Sequence, residues 1–158
     1  MRTAIILAAL LLTGCQQPAP PQFQIEQSRS YDLGKRAVWN DILVFLKAND
    51  IVVTWSDFAN GVIDARRLNY QDAGWAYCEP AIVRDITQSG GNARPSRARI
   101  FLDRSLTLRV DVREAGGMVE VALAARFSER QINMYRNLPF DVACRSKGVL
   151  EKALLDAI

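Results

Sequence analysis

The stretch 105-SLTLRVDVREAGGMVEVALAARF-127 contains the two most regular strand patterns of the chain. In each half, apolar residues occupy alternate positions. A period of two places the apolar side chains on one face of a strand. Gly116 and Gly117 separate the halves and supply the positive φ angles that a tight turn needs. The stretch therefore predicts a β-hairpin with one buried and one wet face, as in an antiparallel sheet.

A second hairpin is predicted before it, around the dipeptide Asn60-Gly61. Ile51–Ser56 and Val62–Leu68 are rich in β-branched residues, which favour strands. The intervening segment Asp57–Gly61 is predicted to be the turn, because Asn-Gly adopts positive φ at little cost. The chain therefore carries two hairpins that can join one sheet.

Two helices are predicted on either side of these hairpins. Lys35–Asn49 has no Pro or Gly and carries a wide apolar stripe at helical spacing, which indicates a helix lying against a sheet. Gly148–Ile158 has apolar residues every four positions and is predicted to be the terminal helix. The less regular segments are expected to be short extended pieces at Phe23–Tyr31, Gly74–Cys78 and Leu138–Ala143, and a helical turn or loop at Ser128–Asn137.

Together these elements predict an α+β fold with the order β-α-β-β-β-β-β-α. We expect an antiparallel sheet with two helices packed on one face. Residues 23–158 are predicted to form a single domain, since this length supports one core. Hydrophobic residues make up 49% of the chain, which favours a globular fold over disorder.

Residues 1–14 are predicted to be a signal peptide. The apolar run Ala4–Leu12 is too short for a membrane-spanning helix of about 20 residues, but its length is typical of a secretory signal. The run ends in Leu12-Thr13-Gly14-Cys15, which resembles a bacterial lipobox. In lipoproteins with that motif the cysteine is acylated and becomes the first mature residue, so the resemblance implies lipidation of Cys15. The alternative is a plain signal peptide with an incidental cysteine.

Residues 15–22 are interpreted as the acylated cysteine and a Pro-rich tether. The segment contains three prolines and no charge, a composition that favours extended, semi-rigid chain. Gln16 follows the cysteine, whereas Asp at this position often retains Gram-negative lipoproteins in the inner membrane. The resemblance therefore implies anchoring by acyl chains at the periplasmic face of the outer membrane.

The composition argues against several classes of function. A net charge of +3 is small for a nucleic-acid-binding protein. The chain has no histidine, which removes the usual general base and the commonest metal ligand. Its carboxylates show no recognisable catalytic spacing. We therefore predict no catalytic residue, metal site or cofactor, and no enzymatic activity.

Cys78 and Cys144 form an even pair in a compartment that oxidises thiols, which predicts a disulfide. Two buried free thiols or a reactive cysteine are the alternatives. If Cys78 ends a strand and Cys144 opens the last helix, the disulfide would attach that helix to the sheet.

The segment Arg84–Arg99 has the weakest pattern of the predicted domain, because Gly90-Gly91-Asn92 and Pro95 interrupt any regular element. One interpretation is a solvated loop at the end of a hairpin. The functional interpretation is a contact site for anionic lipid head groups, lipopolysaccharide phosphates or an acidic partner. Its candidate residues are Arg94, Arg97 and Arg99.

Polar residues on the wet face are interpreted as structural. Asp64 lies two residues before Arg66, and Asp111 lies between Arg109 and Arg113. Neighbours of opposite charge on the wet face of a sheet are usually cross-strand ion pairs.

The chain resembles small bacterial envelope lipoproteins in several features. These are the lipobox with Cys15, Trp39 in the first helix, the turn Asn60–Ile63, the cysteine pair Cys78 and Cys144, and the segment Cys144–Glu151 that follows the second cysteine. The order of elements is similar to the helix-grip domains of the lipoprotein subunit called C in the outer-membrane β-barrel assembly machine. That subunit has two such domains and this chain has one.

These observations favour a non-enzymatic outer-membrane lipoprotein that serves as an accessory or adaptor in an envelope complex for outer-membrane assembly or secretion, with an envelope protein as its partner. The alternative is a periplasmic carrier that holds a lipid or other apolar ligand between helix and sheet. A cavity of several hundred Å3 with convergent polar groups would favour the carrier.

Overall fold

The structure, a computed structural model, describes residues 22–70, 74–78, 99–133 and 138–158, with the backbone alone for 99–102 and 133. The strands of these ranges pair antiparallel throughout, and two helices accompany them, so the predicted α+β class is confirmed. In chain order the elements are β1 (Ser28–Tyr31), α1 (Lys35–Ala48), β2 (Val52–Asp57), β3 (Val62–Leu68), β4 (Ala76–Cys78), β5 (Arg99–Ala115), β6 (Met118–Asn133), β7 (Leu138–Ser146) and α2 (Val149–Asp156).

The predicted order contains six strands, whereas the described residues form seven, because Leu138–Ser146 is a full strand. The helical turn or loop expected at Ser128–Asn137 was wrong for residues 128–133, since β6 continues to Asn133, and residues 134–137 lie outside the described residues. Glu129 and Gln131 are buried there at core-facing positions. Arg104 Nε donates to Glu129 Oε2 at 2.9 Å, and Gln131 Nε2 donates to Glu129 Oε1 at 2.6 Å. The polar side chains satisfy one another, so this strand lacks the apolar alternation that identifies a strand in sequence.

The strands follow the order β2-β3-β5-β6-β7-β4, and β1 pairs with β6. β5 and β6 are joined through Gly116 and Gly117, whose φ angles are 59° and 84°. Two positive φ angles in a two-residue loop match the twist of a hairpin. β1 and β7 share one side of β6: β1 lies opposite residues 119–122 and β7 lies opposite residues 127–133.

The hydrophobic core combines one face of the sheet with residues from both helices. Alternate residues of β5 and β6 are buried, as their period predicts, and β3 contributes three more buried side chains, Val62, Ile63 and Ala65. Tyr70 and Trp75 stack in this core with ring centroids 5.7 Å apart. The fully buried large side chains are Val38, Ile42, Leu46, Ile63, Leu106, Leu108, Val110, Val112, Val121, Leu150, Leu154 and Leu155.

α1 ends where the sequence predicts, at Asn49-Asp50. Asp50 has a φ of 53°, and its N–H donates to Lys47 O, while the N–H of Ile51 donates to Leu46 O at 2.9 Å. These two hydrogen bonds form a Schellman motif, which satisfies carbonyls at the end of a helix. Asn49 adds a side-chain bond from Nδ2 to Phe45 O at 2.9 Å. The motif turns the chain directly into β2.

The carboxyl end of α2 is held by side chains from β1. Arg29 Nη1 donates to Leu155 O and to Asp156 Oδ1, both at 2.9 Å, and Tyr31 Oη donates to Leu155 O at 2.6 Å. Arg29 also pairs with Glu26 at 2.7 Å. A guanidinium at this position satisfies an unpaired helix carbonyl and complements the negative end of the helix dipole.

The ion pairs of Arg29 with Glu26 and Asp156 are expected to weaken in acid. The hydrogen bond from Arg29 lowers the pKa of Glu26, and hydrogen bonds from Lys152 and Arg29 lower the pKa of Asp156. Stability from a lowered carboxyl pKa is present above the ordinary value and is lost as pH falls through the folded value. Melting temperatures measured between about pH 6 and pH 2 should therefore fall less steeply for Arg29→Met than for the native chain. Parallel curves would contradict this role.

Candidate functional site

Most of the segment proposed from sequence as an anionic contact lies outside the described residues. Cys15, Arg94 and Arg97 are outside the described residues, as is most of Arg84–Arg99. The backbone of Arg99 opens β5 opposite Asn133, so Arg99 belongs to a strand and not to the expected loop.

The predicted disulfide between Cys78 and Cys144 is present, but it does not hold the last helix directly. Cys78 on β4 is the register partner of Cys144 on β7, and their Cα atoms are 4.2 Å apart. Cys144 lies inside a strand because β7 extends to Ser146, beyond the short piece expected. The disulfide thus joins two neighbouring strands at one end of the sheet.

The wet face of the sheet carries a groove of about 510 Å3 over β3, β5 and β6. The core face lies on the other side of these strands, so the groove is open to solvent. Along β5 the residues Thr107 and Arg109 are exposed between buried leucines and valines, as the period of two requires. The groove is lined by Thr54, Asp64, Ala65, Arg66, Thr107, Leu108, Arg109, Ala124 and Arg126.

The register of the strands arranges these side chains in rows. Arg66 lies opposite Thr107, which lies opposite Arg126, so the two arginines flank a hydroxyl on one face. In the next row Arg109 lies between Asp64 and Ala124. Ala124 lines the groove two residues before Arg126 on β6.

The arginines of the groove differ in their partners. Arg109 Nη1 lies 3.5 Å from Asp64 Oδ1, and Arg109 Nε lies 3.4 Å from Asp111 Oδ2. The expected cross-strand pairing of Asp64 is thus confirmed, with Arg109 as the partner and not its sequence neighbour Arg66. Arg66 and Arg126 make no ion pair with any described residue. The groove therefore holds two guanidinium groups without a counterion from this part of the chain.

Exposed apolar side chains lie beside the groove at the β2 side of the sheet. Val52 is 61% exposed, Trp55 51% and Leu68 59%. Val52 pairs with Arg66, and Trp55 pairs with Asp64 across a register shift between Val53 and Trp55. β2 is the first strand in the sheet order, so this apolar rim borders a sheet edge.

The described residues were compared with the side-chain groups that bind metal ions in proteins. They contain no group of three or more His, Cys, Asp or Glu side chains placed to hold a metal ion. The groove itself supplies a single carboxylate, Asp64, and that carboxylate is paired with Arg109. What the arrangement can do is bind an anionic group through guanidinium and hydroxyl donors.

Neither strand periodicity nor motif searching could have found this groove, because no short segment contains it. Arg66, Thr107 and Arg126 come from three strands, and only their register brings them together. The available signal was the wet-face alternation of the two hairpins, which placed each residue on the correct face.

No helix within the described ranges is both long enough and apolar enough to cross a membrane. Comparison of the sequence with protein-family models and with characterised proteins finds no match.

Proposed function

We propose that this chain is a non-enzymatic lipoprotein of the bacterial envelope, acylated at Cys15 and anchored at the periplasmic face of the outer membrane. It serves as an accessory or adaptor in an envelope complex for outer-membrane assembly or secretion. The observation that carries the adaptor role is the open wet face, where Arg66 and Arg126, which form no ion pair with the described residues, lie beside exposed apolar side chains. Interfaces commonly combine aromatic side chains and arginine in this way.

The proposed packing is helix-grip-like, with both helices on the core face of the sheet. This arrangement leaves the wet face free for a partner. The carrier alternative places a ligand between helix and sheet, but large side chains fill the described part of that layer, including Ile42, Leu46 and Leu154. The binding surface is therefore assigned to the outside of the sheet.

The anchor is tested in a Gram-negative host that produces the full chain. Lipidation at Cys15 predicts that the native protein fractionates with the outer membrane and that Cys15→Ser is recovered in the soluble or unprocessed fraction. Mass spectrometry of the mature N-terminus identifies the acyl groups. Equal membrane recovery of an unacylated native chain would contradict the anchor.

The partner surface is tested by placing a photoreactive amino acid at Thr107, inside the groove, in living cells. The matched control carries it at Val44, which is 68% exposed on α1. We expect one discrete crosslinked envelope protein from Thr107 and none from Val44. The same products from both positions, or none from Thr107, would overturn the proposal for this face.

A further inference from the structure

We propose that the wet-face groove recognises the carboxylates of an extended acidic segment of a partner protein, with Arg66 and Arg126 as the two anion-binding residues. This inference rests on the proposed function, because it names the chemistry of the partner that the face would bind. We call the aligned residues Val52, Arg66, Thr107 and Arg126 the anion row.

The charges of the groove select an anion. Arg109 is already neutralised by Asp64 and Asp111, at 3.5 Å and 3.4 Å. Arg66 and Arg126 lie in the same groove without an ion pair among the described residues. An incoming carboxylate would accept bidentate hydrogen bonds from each guanidinium, a geometry that suits arginine better than lysine.

The spacing of the anion row matches an extended peptide. Its four residues lie on four neighbouring strands, β2, β3, β5 and β6, in direct register. Three strand spacings of about 4.8 Å give a span of about 14 Å. In an extended segment, residues i, i+2 and i+4 share one face and span about 13.5 Å.

The order of side chains along the row then fixes the pattern of the segment. An apolar residue at position i would lie over Val52, beside the exposed Trp55 and Leu68. Acidic residues at i+2 and i+4 would lie within reach of Arg66 and Arg126, whose long stems cover the remaining difference in spacing. Thr107, between the arginines, adds a hydroxyl donor.

The same charges argue against a phosphate-rich membrane surface as the occupant. Asp64 lines the groove and Asp111 contacts Arg109, so a ligand with several phosphates would approach two carboxylates as well as the arginines. The whole chain carries a net charge of only +3, whereas polybasic clusters mark proteins that bind anionic lipid surfaces. Two carboxylates, each with only one negative charge, together with an apolar residue fit the groove better than several phosphates do.

The test uses the full chain in non-ionic detergent and a fluorescein-labelled peptide, Val-Ser-Glu-Ser-Glu, followed by fluorescence anisotropy. We expect saturable binding that weakens with salt. Arg66→Gln and Arg126→Gln should each weaken binding about tenfold. The matched control is Arg113→Gln, which removes the same charge from the same sheet face but at a position opposite Glu120, outside the row. It should leave binding unchanged.

Two further probes define the chemistry. The isomeric peptide Val-Ser-Ser-Glu-Glu, whose adjacent carboxylates point to opposite faces, should bind several-fold more weakly. Dihexanoyl-phosphatidylglycerol, a short-chain lipid with the same head group that is compatible with the detergent, should not compete with the labelled peptide. Equal binding of both peptides, equal losses in all three arginine variants, competition by the short-chain phosphatidylglycerol, or no peptide binding would each overturn the inference. Circular dichroism confirms that each variant is folded.

Failure of this inference can be separated from failure of the proposed function. If the photoreactive residue at Thr107 still captures its envelope protein when Arg66→Gln and Arg126→Gln are combined, the partner stands and carboxylate recognition is overturned. If the native chain captures nothing from Thr107, the proposed function fails. Loss of capture in the double variant, with capture retained in Arg113→Gln, supports both.

Discussion

Replacing Gly61 by alanine is expected to destabilise the protein by about 3 kcal/mol, which is a large share of a typical domain stability. Gly61 ends the β2–β3 turn with a φ of 69°, and its carbonyl accepts a hydrogen bond from Val112 N at 2.7 Å. A Cβ at this position would collide with the backbone carbonyl oxygen of Val112. Because Val112 lies within β5, the strand cannot move away without losing its pairing with β6. Urea denaturation followed by circular dichroism measures the loss.

The matched control is Gly116→Ala in the other hairpin. Gly116 has a φ of 59°, but no atom lies within 4 Å of an added Cβ. This variant incurs the backbone cost alone, about 1 kcal/mol. The difference between the two variants therefore isolates the close approach of the turn to β5. Equal losses would show that conformation alone, and not the contact with Val112, makes glycine necessary at position 61.

The sequence predicted those parts of the fold in which periodicity and burial agree. Lys35–Asn49 has a wide apolar stripe and a polar stop, and α1 spans Lys35–Ala48. The apolar alternation of 105–127 likewise placed the central hairpin correctly. The same logic failed for residues 128–133, because Glu129 and Gln131 take core positions and are satisfied by each other and by Arg104. A satisfied polar patch in a strand has the composition of a loop.

The groove shows a second limit of sequence reasoning. Asp64 and Arg66 are near neighbours on one strand, and the sequence predicted cross-strand ion pairs for such residues without identifying their partners. The register of β3 against β5 places Asp64 beside Arg109 and Arg66 beside Thr107. Register between strands that lie some 45 residues apart depends on the whole set of pairings. That register leaves Arg66 without an ion pair to any of the described residues, and the proposed site depends on this observation.

Removing the disulfide with the double variant Cys78→Ala/Cys144→Ala should lower the free energy of unfolding by about 4 kcal/mol. The two cysteines are 66 residues apart in sequence, so the bond restricts a long loop of the unfolded chain. In the folded protein, β4 has only three residues, and β7 is its one strand partner in the described chain. The disulfide at the Cys78–Cys144 register position thus also fixes a strand too short to be stable through its own hydrogen bonds.

Reduction provides the control for this variant. Urea unfolding of the native chain in excess dithiothreitol should approach that of the double variant, whereas the double variant should not respond to the reductant. The central hairpin contains neither cysteine, so we expect it to form in the variant. The far-UV circular dichroism spectrum of the variant should therefore be close to that of the native chain before the unfolding transition. A native chain equally stable with and without reductant would contradict the prediction. It would mean that the pairing of β4 with β7 and the packing of Trp75 in the core are sufficient to hold this end of the sheet.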